Sequence, residues 1–209
     1  MSWTFFGQPV TLLEVAAFVT GLATVWLTKE RHIWNWPVSL TNVACFMVLF
    51  YEAKLYADAF LQIGFAVLGI VGWWQWTRAA ASDAHHDVPV TRTPWPEVAI
   101  SLAISGVAIW LGSLALRSWT DSPVPIADTT LLVLSVLATW WQVLRRLECW
   151  VMWIGVDLIS IPLYWQRSLP LTAVLYVVFL LICIAGFIDW RRAWQGQGAA
   201  DEPALKAAS

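Results

Sequence analysis

The sequence predicts an all-α integral membrane protein. Seven transmembrane helices are expected, arranged as two parallel three-helix repeats joined by a linker helix. Three observations carry that prediction. Of the 209 residues, 59% are hydrophobic and 12% are charged, whereas a soluble domain has about 45–50% and about 25%. The apolar residues gather in runs long enough to cross a bilayer, whose core of about 30 Å needs about 20 helical residues. Two stretches of the chain also echo one another in order and spacing.

The charged side chains are too few to coat a soluble surface, so the apolar excess needs the bilayer as a second solvent. A net charge of −2 gives no pull toward nucleic acid, and no nucleic-acid partner is expected. Cys45, Cys149 and Cys183 are odd in number and unclustered, so they read as buried small hydrophobes and not as a disulfide or zinc framework. Met1–Gln8 lacks the basic flank of a cleavable signal peptide, and the first apolar run reads as a permanent span.

The seven spans are expected at 10–28, 37–53, 57–77, 97–116, 128–145, 150–165 and 169–190, the second and sixth being short. Polar patches separate them: Lys29–His32, Glu52–Lys54, Arg78–Pro96, Arg117–Asp121, Arg145–Glu148 and Gln166–Pro170. Helix is required because lipid cannot hydrogen-bond an open strand edge. This divides the chain into a first three-helix bundle (1–78), a cytoplasmic loop and linker helix (79–125), a second three-helix bundle (126–192) and a cytoplasmic tail (193–209). The tail, polar and Ala-rich after Trp194, is expected to be disordered.

Orientation follows from the basic residues. With the N-terminus outside, Lys29, Arg31, Arg78, Arg92, Arg145, Arg146, Arg191, Arg192 and Lys206 lie inside, while Lys54, Arg117 and Arg167 lie outside. That nine-to-three bias predicts a periplasmic N-terminus and a cytoplasmic C-terminus in a bacterial inner membrane.

The repeat aligns Leu22-Ala-Thr-Val-Trp26 with Leu137-Ala-Thr-Trp-Trp141, at an offset of 115 that also pairs Arg31 with Arg146 and Asn42 with Asp157. After a one-residue gap, Leu61-Gln62 meets Leu175-Tyr176, and Gly72-Trp-Trp-Gln-Trp76 meets Gly186-Phe-Ile-Asp-Trp190. One helix lies between the copies. Three plus one is even, so both copies start on the same face and form parallel repeats. A solute site is then expected near mid-membrane, between the bundles.

Polar side chains inside spans usually face an interior or a cavity. Asn42, Gln62, Gln142, Asp157 and, by repeat, Tyr176 are the candidates; each can contact solute or join helices structurally. Glu14 and Asp189 sit nearer span ends and read as interfacial. Glu148 follows Arg145 by three residues, which suggests a surface ion pair.

Most of the 17 tryptophans lie at span ends: Trp3, Trp34, Trp36, Trp73, Trp74, Trp76, Trp95, Trp119, Trp165, Trp190 and Trp194. For most of these an aromatic belt at the headgroups is the expectation. Trp150 and Trp153 differ, because three-residue spacing puts them on one helix face that Asp157 extends. Two rings and a carboxylate suit a planar cation. Trp34, Trp36 and Asn42 form a looser counterpart in the first copy. Pro37 and Pro162 are candidate weak points, although Pro37 can equally start its helix.

No catalytic set, phosphate loop or metal constellation is visible, and no cofactor is expected. His32, His85 and His86 lie in loops, and the His85-His86-Asp87 cluster reads as solvated.

The first half resembles the PnuC family of vitamin transporters in Trp34-Asn-Trp-Pro37, Tyr51, Leu55-Tyr-Ala-Asp58, Leu61-Gln62 and Gly72–Trp76. The second half resembles it in Glu148–Trp153, Asp157, Ile161-Pro-Leu-Tyr164, Leu175-Tyr176 and Gly186–Trp190. The resemblance covers 14–190 and implies a three-one-three arrangement similar to the SWEET sugar transporters, a homotrimer, and facilitated diffusion of nicotinamide riboside. Intracellular phosphorylation toward NAD biosynthesis would then trap the solute. Relatives similar to this family are specific for thiamine or riboflavin, and these remain alternatives. A membrane enzyme or a solute-free scaffold would be of another class. On the nicotinamide riboside reading, Trp150 and Trp153 hold the ring, and Asp157, Asn42, Gln62 and Tyr176 bond the ribose or carboxamide.

Overall fold

The structure, a computed structural model, describes residues 3–5, 8–52, 56–82, 88–119, 124–166 and 170–208. A short antiparallel strand pair, β1 (Trp3–Phe5) and β2 (Gln8–Val10), precedes seven helices. These are α1 (Leu12–Lys29), α2 (Asn35–Glu52), α3 (Tyr56–Ser82), α4 (Trp95–Trp119), α5 (Pro125–Val143), α6 (Cys149–Gln166) and α7 (Pro170–Ala208). Each expected span has its helix. Five stretches among the described residues are long and apolar enough to cross a membrane: Leu12–Lys29, Ala59–Ala81, Trp95–Ser118, Pro125–Val143 and Thr172–Gln197. Helices α2 and α6, of 18 residues each, are not among them; Asn42, Asp157 and Ser160 interrupt their apolar runs. Leu55 and the His85-His86-Asp87 cluster lie outside the described residues, as do the side chains of Tyr56 and Asp58.

Two compact units divide the chain, Met1–Val88 and Pro89–Ser209. In the first, α2 packs against α1 and α3. In the second, α6 packs against α5 and α7, and α4 lies on α5. Helix α1 begins in a capping box: the Glu14 N–H donates to Thr11 Oγ1 (3.2 Å), and the Thr11 N–H donates to Glu14 Oε2 (2.7 Å). Two otherwise unpaired helix-end donors are thereby satisfied, which accounts for Glu14 at a span end.

The α1–α2 and α5–α6 turns share one construction. Arg31 and Arg145 have φ of 55° and 59°, the left-handed conformation that closes a helix C-terminus. In the first turn the His32 N–H donates to Leu27 O (2.9 Å) and the Arg31 N–H to Thr28 O (3.0 Å); in the second, Arg146 donates to Trp141 O (2.8 Å) and Arg145 to Gln142 O (2.9 Å). Both are Schellman motifs with arginine where glycine is usual. Helix α2 also starts and ends 114 residues before α6.

This constant offset corrects the alignment expected at 115 with a gap. Arg31 answers to Arg145, not Arg146. Asn42 stands where Val156 stands, and Asp157 where Val43 stands. The Leu-Ala-Thr runs match by composition at a register one residue off; the turn hydrogen bonds fix the true one.

Trp36, Trp76 and Trp190, read as belt residues, are buried cores instead. Trp36 meets Trp76 edge-on (5.4 Å, 88°) and Trp150 meets Trp190 likewise (5.5 Å, 87°). A Cβ on Gly72 would overlap the Trp36 ring, and one on Gly186 would lie 2.6 Å from Trp150 Cη2. Each glycine thus lets an indole wedge between two helices. Trp34, Trp73, Trp74, Trp95 and Trp165 are exposed. Cys45, Cys149 and Cys183 are free and buried.

Two further expectations are corrected. The tail is helical: α7 runs on to Ala208, as its alanines favour. Glu148 does not pair with Arg145, because the left-handed turn takes Arg145 off any shared helical face. Its carboxylate instead accepts from Arg92 Nε and from the N–H and hydroxyl of Thr93 (2.8 and 2.9 Å). The strap around Thr91 is held to the same turn: the Thr91 N–H donates to Arg145 O and the Leu147 N–H to Thr91 O, both at 2.9 Å. Arg146 donates to Arg92 O and to Glu97 Oε2. Burial pushes the Arg145 guanidinium below its ordinary range, and neighbouring Arg146 adds to the shift.

Candidate functional site

In the second unit α6 and α7 run antiparallel in a regular register. Steps of seven along α6 (Trp150, Asp157, Tyr164) are answered by steps of seven back along α7 (Trp190, Cys183, Tyr176). Seven residues make two helical turns, so these pairs share one seam. At one end the seam is the Trp150–Trp190 wedge. Beyond it the seam turns polar.

Asp157 is 3% exposed, with the Cys183 thiol within hydrogen-bonding reach. Its second oxygen, Oδ2, has no partner among the described residues. One turn on, the Ser160 hydroxyl is fully buried and makes no hydrogen bond of good geometry among the described residues, with the Tyr176 hydroxyl within its reach. The Tyr176 ring stacks on Tyr164 (5.1 Å, 18°) and meets Phe179 edge-on (5.8 Å, 86°). Its hydroxyl also lies within reach of Ser160. A carboxyl, a hydroxyl and a phenol therefore sit together in an apolar bundle, and buried polar atoms left unpaired cost about 1–3 kcal/mol each.

The expected aromatic stripe splits. Trp150 turns to α7, whereas Trp153 turns to α5, its Nε1 donating to Gln142 Oε1 at 3.2 Å. Trp153 remains partly exposed, whereas Trp150 is closed in by Trp190 and Gly186.

The first unit carries a different seam at the matching positions. Val43, Phe46, Phe50 and Gly69 stand where Asp157, Ser160, Tyr164 and Cys183 stand, and Phe46 stacks on Phe50 (5.6 Å, 25°). Gln62, half-buried, is the counterpart of Tyr176. Asn42 is not on this seam. Its Nδ2 donates to Ala17 O (2.6 Å) and Thr20 Oγ1 (3.0 Å), fixing α2 to α1. Trp34 and Trp36 part company: Trp34 is 64% exposed, whereas Trp36 fills the wedge.

Of the expected residues the structure thus brings Asp157 and Tyr176 together and places Trp153 beside Gln142. Ser160 and Cys183 were missed. Their spacing from Asp157 and Tyr176 (three and seven residues) was the available signal. No group of three or more His, Cys, Asp and Glu side chains able to hold a metal occurs among the described residues.

Residues 11–192 match the family described as nicotinamide mononucleotide transporter. The chain is 25% identical over 208 residues to the riboflavin/roseoflavin transporter RibM of Streptomyces davaonensis, covering 99% of this chain and 96% of the relative. It is 22% identical to the nicotinamide riboside transporter PnuC of Escherichia coli, covering 92% and 90%. With PnuC of Neisseria mucosa the identity is 26%, covering 90% and 75%. Among solved structures, that of the vitamin B3 transporter PnuC is similar with a TM-score of 0.71 at 26% identity, covering 88% of this chain and 82% of the other.

Proposed function

Since this chain belongs to the nicotinamide mononucleotide transporter family, a family of multi-pass membrane transporters and not of enzymes, we propose that it carries nicotinamide riboside across the bacterial inner membrane by facilitated diffusion. One observation supports this choice above the rest. Asp157 is buried, and neither α6 nor α7 as far as Trp190 carries a Lys, Arg or His, Arg167 lying in the connection between the two helices. A carboxyl without a basic neighbour on its own helices complements a positively charged ring, and its oxygens accept from ribose hydroxyls.

On this reading Trp153 offers its ring for stacking and cation–π attraction. Asp157 and Tyr176 bond the sugar or carboxamide, and Trp150 backs them as a packed wall. On the first unit we assign Gln62 to solute contact, with Trp36 as the packed wall and Trp34 as an exposed ring at the α1–α2 turn, while Asn42 acts by holding α2 to α1. The mononucleotide is excluded, because its 5′-phosphate brings negative charge toward Asp157. Pro162, inside α6, removes one helix hydrogen bond and provides a point of bending. A three-one-three arrangement, a periplasmic N-terminus and cytoplasmic C-terminus, a homotrimer, and intracellular phosphorylation feeding NAD biosynthesis complete the proposal.

Riboflavin is the second reading, favoured by the Streptomyces relative that covers 99% of the chain. Both solutes join a planar nitrogen heterocycle to a hydroxyl-bearing five-carbon group, ribosyl in the riboside and ribityl in riboflavin; only the riboside carries a positive ring. Counterflow in proteoliposomes, without proton or sodium gradients, separates them. Nicotinamide riboside should exchange rapidly and the mononucleotide should not. Mononucleotide exchange at the riboside's rate, or riboflavin exchange alone, overturns the primary reading.

A further inference from the structure

Most hydroxyls on these helices look after themselves. Thr20, Thr24, Thr28, Thr129 and Thr139 each donate to the carbonyl four residues earlier, at 2.6 to 2.8 Å. That bond is the ordinary way a helix satisfies a buried hydroxyl. Ser160 does otherwise. It is 1% exposed, and its Oγ makes no hydrogen bond of good geometry among the described residues, although the Tyr176 hydroxyl lies within reach. It shares its helix face with Asp157, whose Oδ2 is equally buried and equally unpaired, and it adjoins Tyr176 on α7. Phe46 at the matching place in the first unit, with Val43 in place of Asp157, shows that this position in the fold does not require a polar residue. The second unit keeps two unsatisfied oxygens one turn apart where the same backbone elsewhere packs hydrocarbon.

We infer that Ser160 is a specificity-determining residue. With Asp157 it forms a clamp for a hydroxyl pair on the transported solute: Asp157 Oδ2 accepts from one hydroxyl, and Ser160 Oγ bonds its neighbour. The inference rests on the transporter reading above and adds the part of the solute recognised, a vicinal diol of a ribosyl or ribityl group. A site built for hydroxyls rejects analogues that lack them, since its own groups are then left unpaired.

The test compares purified wild type and Ser160→Ala in proteoliposome counterflow, using nicotinamide riboside and its 2′-deoxy, 3′-deoxy and 5′-deoxy analogues. Ser160→Ala should raise the half-saturation concentration for the riboside by about tenfold, equivalent to the loss of one hydrogen bond. For one deoxy analogue the same substitution should change nothing, because the partner hydroxyl is already gone. Without solute the variant should melt at or above the wild-type temperature, since it loses an unpaired buried hydroxyl, and the riboside should raise its melting temperature less than it raises that of wild type. An equal loss for the parent and all three analogues marks Ser160 as merely structural and overturns the inference, as does an unchanged riboside constant. If wild type carries riboflavin instead, deoxyribityl analogues replace the deoxyribosides and the same outcomes decide. If wild type carries neither solute, the transporter assignment fails and the clamp fails with it.

Discussion

Trp36 stands edge-on to Trp76 with ring centroids 5.4 Å apart, and the ring sits where Gly72 has no side chain. The second unit repeats the arrangement in Trp150, Trp190 and Gly186. In each unit an indole near the start of the middle helix is wedged into the helix that follows. Lipid provides no hydrophobic drive between helices, so close van der Waals packing of this kind holds a bundle together.

Gly186→Ala should therefore destabilise the protein despite alanine's better helix propensity. Its Cβ would lie 2.6 Å from Trp150 Cη2, and a fully buried indole has nowhere to move. Overpacking costs about 1–3 kcal/mol. Gly106→Ala and Gly155→Ala, with nothing within 4 Å of the added Cβ, should instead gain up to about 1 kcal/mol. Thermal unfolding in detergent, followed by tryptophan fluorescence, distinguishes the two directions.

At the helix-closing turns the expected sign is reversed. Arg31 and Arg145 hold φ of 55° and 59°, which costs an L-residue roughly 1–2 kcal/mol. Arg31→Gly should relieve most of that cost and raise the melting temperature, whereas Arg31→Val should lower it, since a β-branched side chain fits this conformation worst. A lower melting temperature for Arg31→Gly would mean that the Arg31 side chain contributes more than its backbone costs.

Much of this fold was legible because lipid leaves the backbone few options. The helices fall where the apolar runs do, and the pairing of Gln62 with Tyr176 emerges from spacing alone. The register of the first half was not legible, since Leu-Ala-Thr-Val-Trp26 aligns with Leu137-Ala-Thr-Trp-Trp141 one residue out. Backbone hydrogen bonds at Arg31 and Arg145, which no side-chain pattern announces, decide it. The partner of Glu148 was hidden for a related reason: Thr93 is 55 residues away in sequence, beyond any local rule. Ser160 escaped notice because serine in a helix normally bonds its own backbone, and only burial without a partner sets it apart.

Glu148 should give the protein an acid-sensitive joint. Burial alone would raise its carboxyl, but hydrogen bonds from Thr93 and Arg92 outweigh that and hold it below the usual carboxylate range. A carboxylate depressed on folding adds stability that is fully present above its unfolded value of about 4.3 and is lost as pH falls through the folded value. At pH 7 Glu148→Gln should cost about 1.5–3 kcal/mol, the range for a hydrogen bond to a charged group. The gap between wild type and variant should narrow as pH falls below about 4.3 and close once pH is below the depressed folded value. A gap that stays constant with pH would show that the Arg92–Glu148 contact contributes through packing alone.

Asn42 and Asp157, both polar and both on middle helices, should answer differently to substitution. The Asn42 amide is already engaged by Ala17 O and Thr20 Oγ1, so Asn42→Ala should cost about 1 kcal/mol of bundle stability. Asn42→Asp should cost more, because it turns a carboxylate toward the Ala17 carbonyl. Asp157 has an unpaired oxygen, so Asp157→Asn should leave the melting temperature near wild type. Its effect should fall on transport, where losing a charged hydrogen bond worth about 1.5–3 kcal/mol lowers riboside exchange roughly 10- to 100-fold and lowers exchange of an uncharged flavin less. Melting curves and counterflow rates for the three variants test this division. Asp157→Asn unfolding like Asn42→Asp, with riboside exchange per folded molecule intact, would make Asp157 a helix-joining residue and remove it from the solute site.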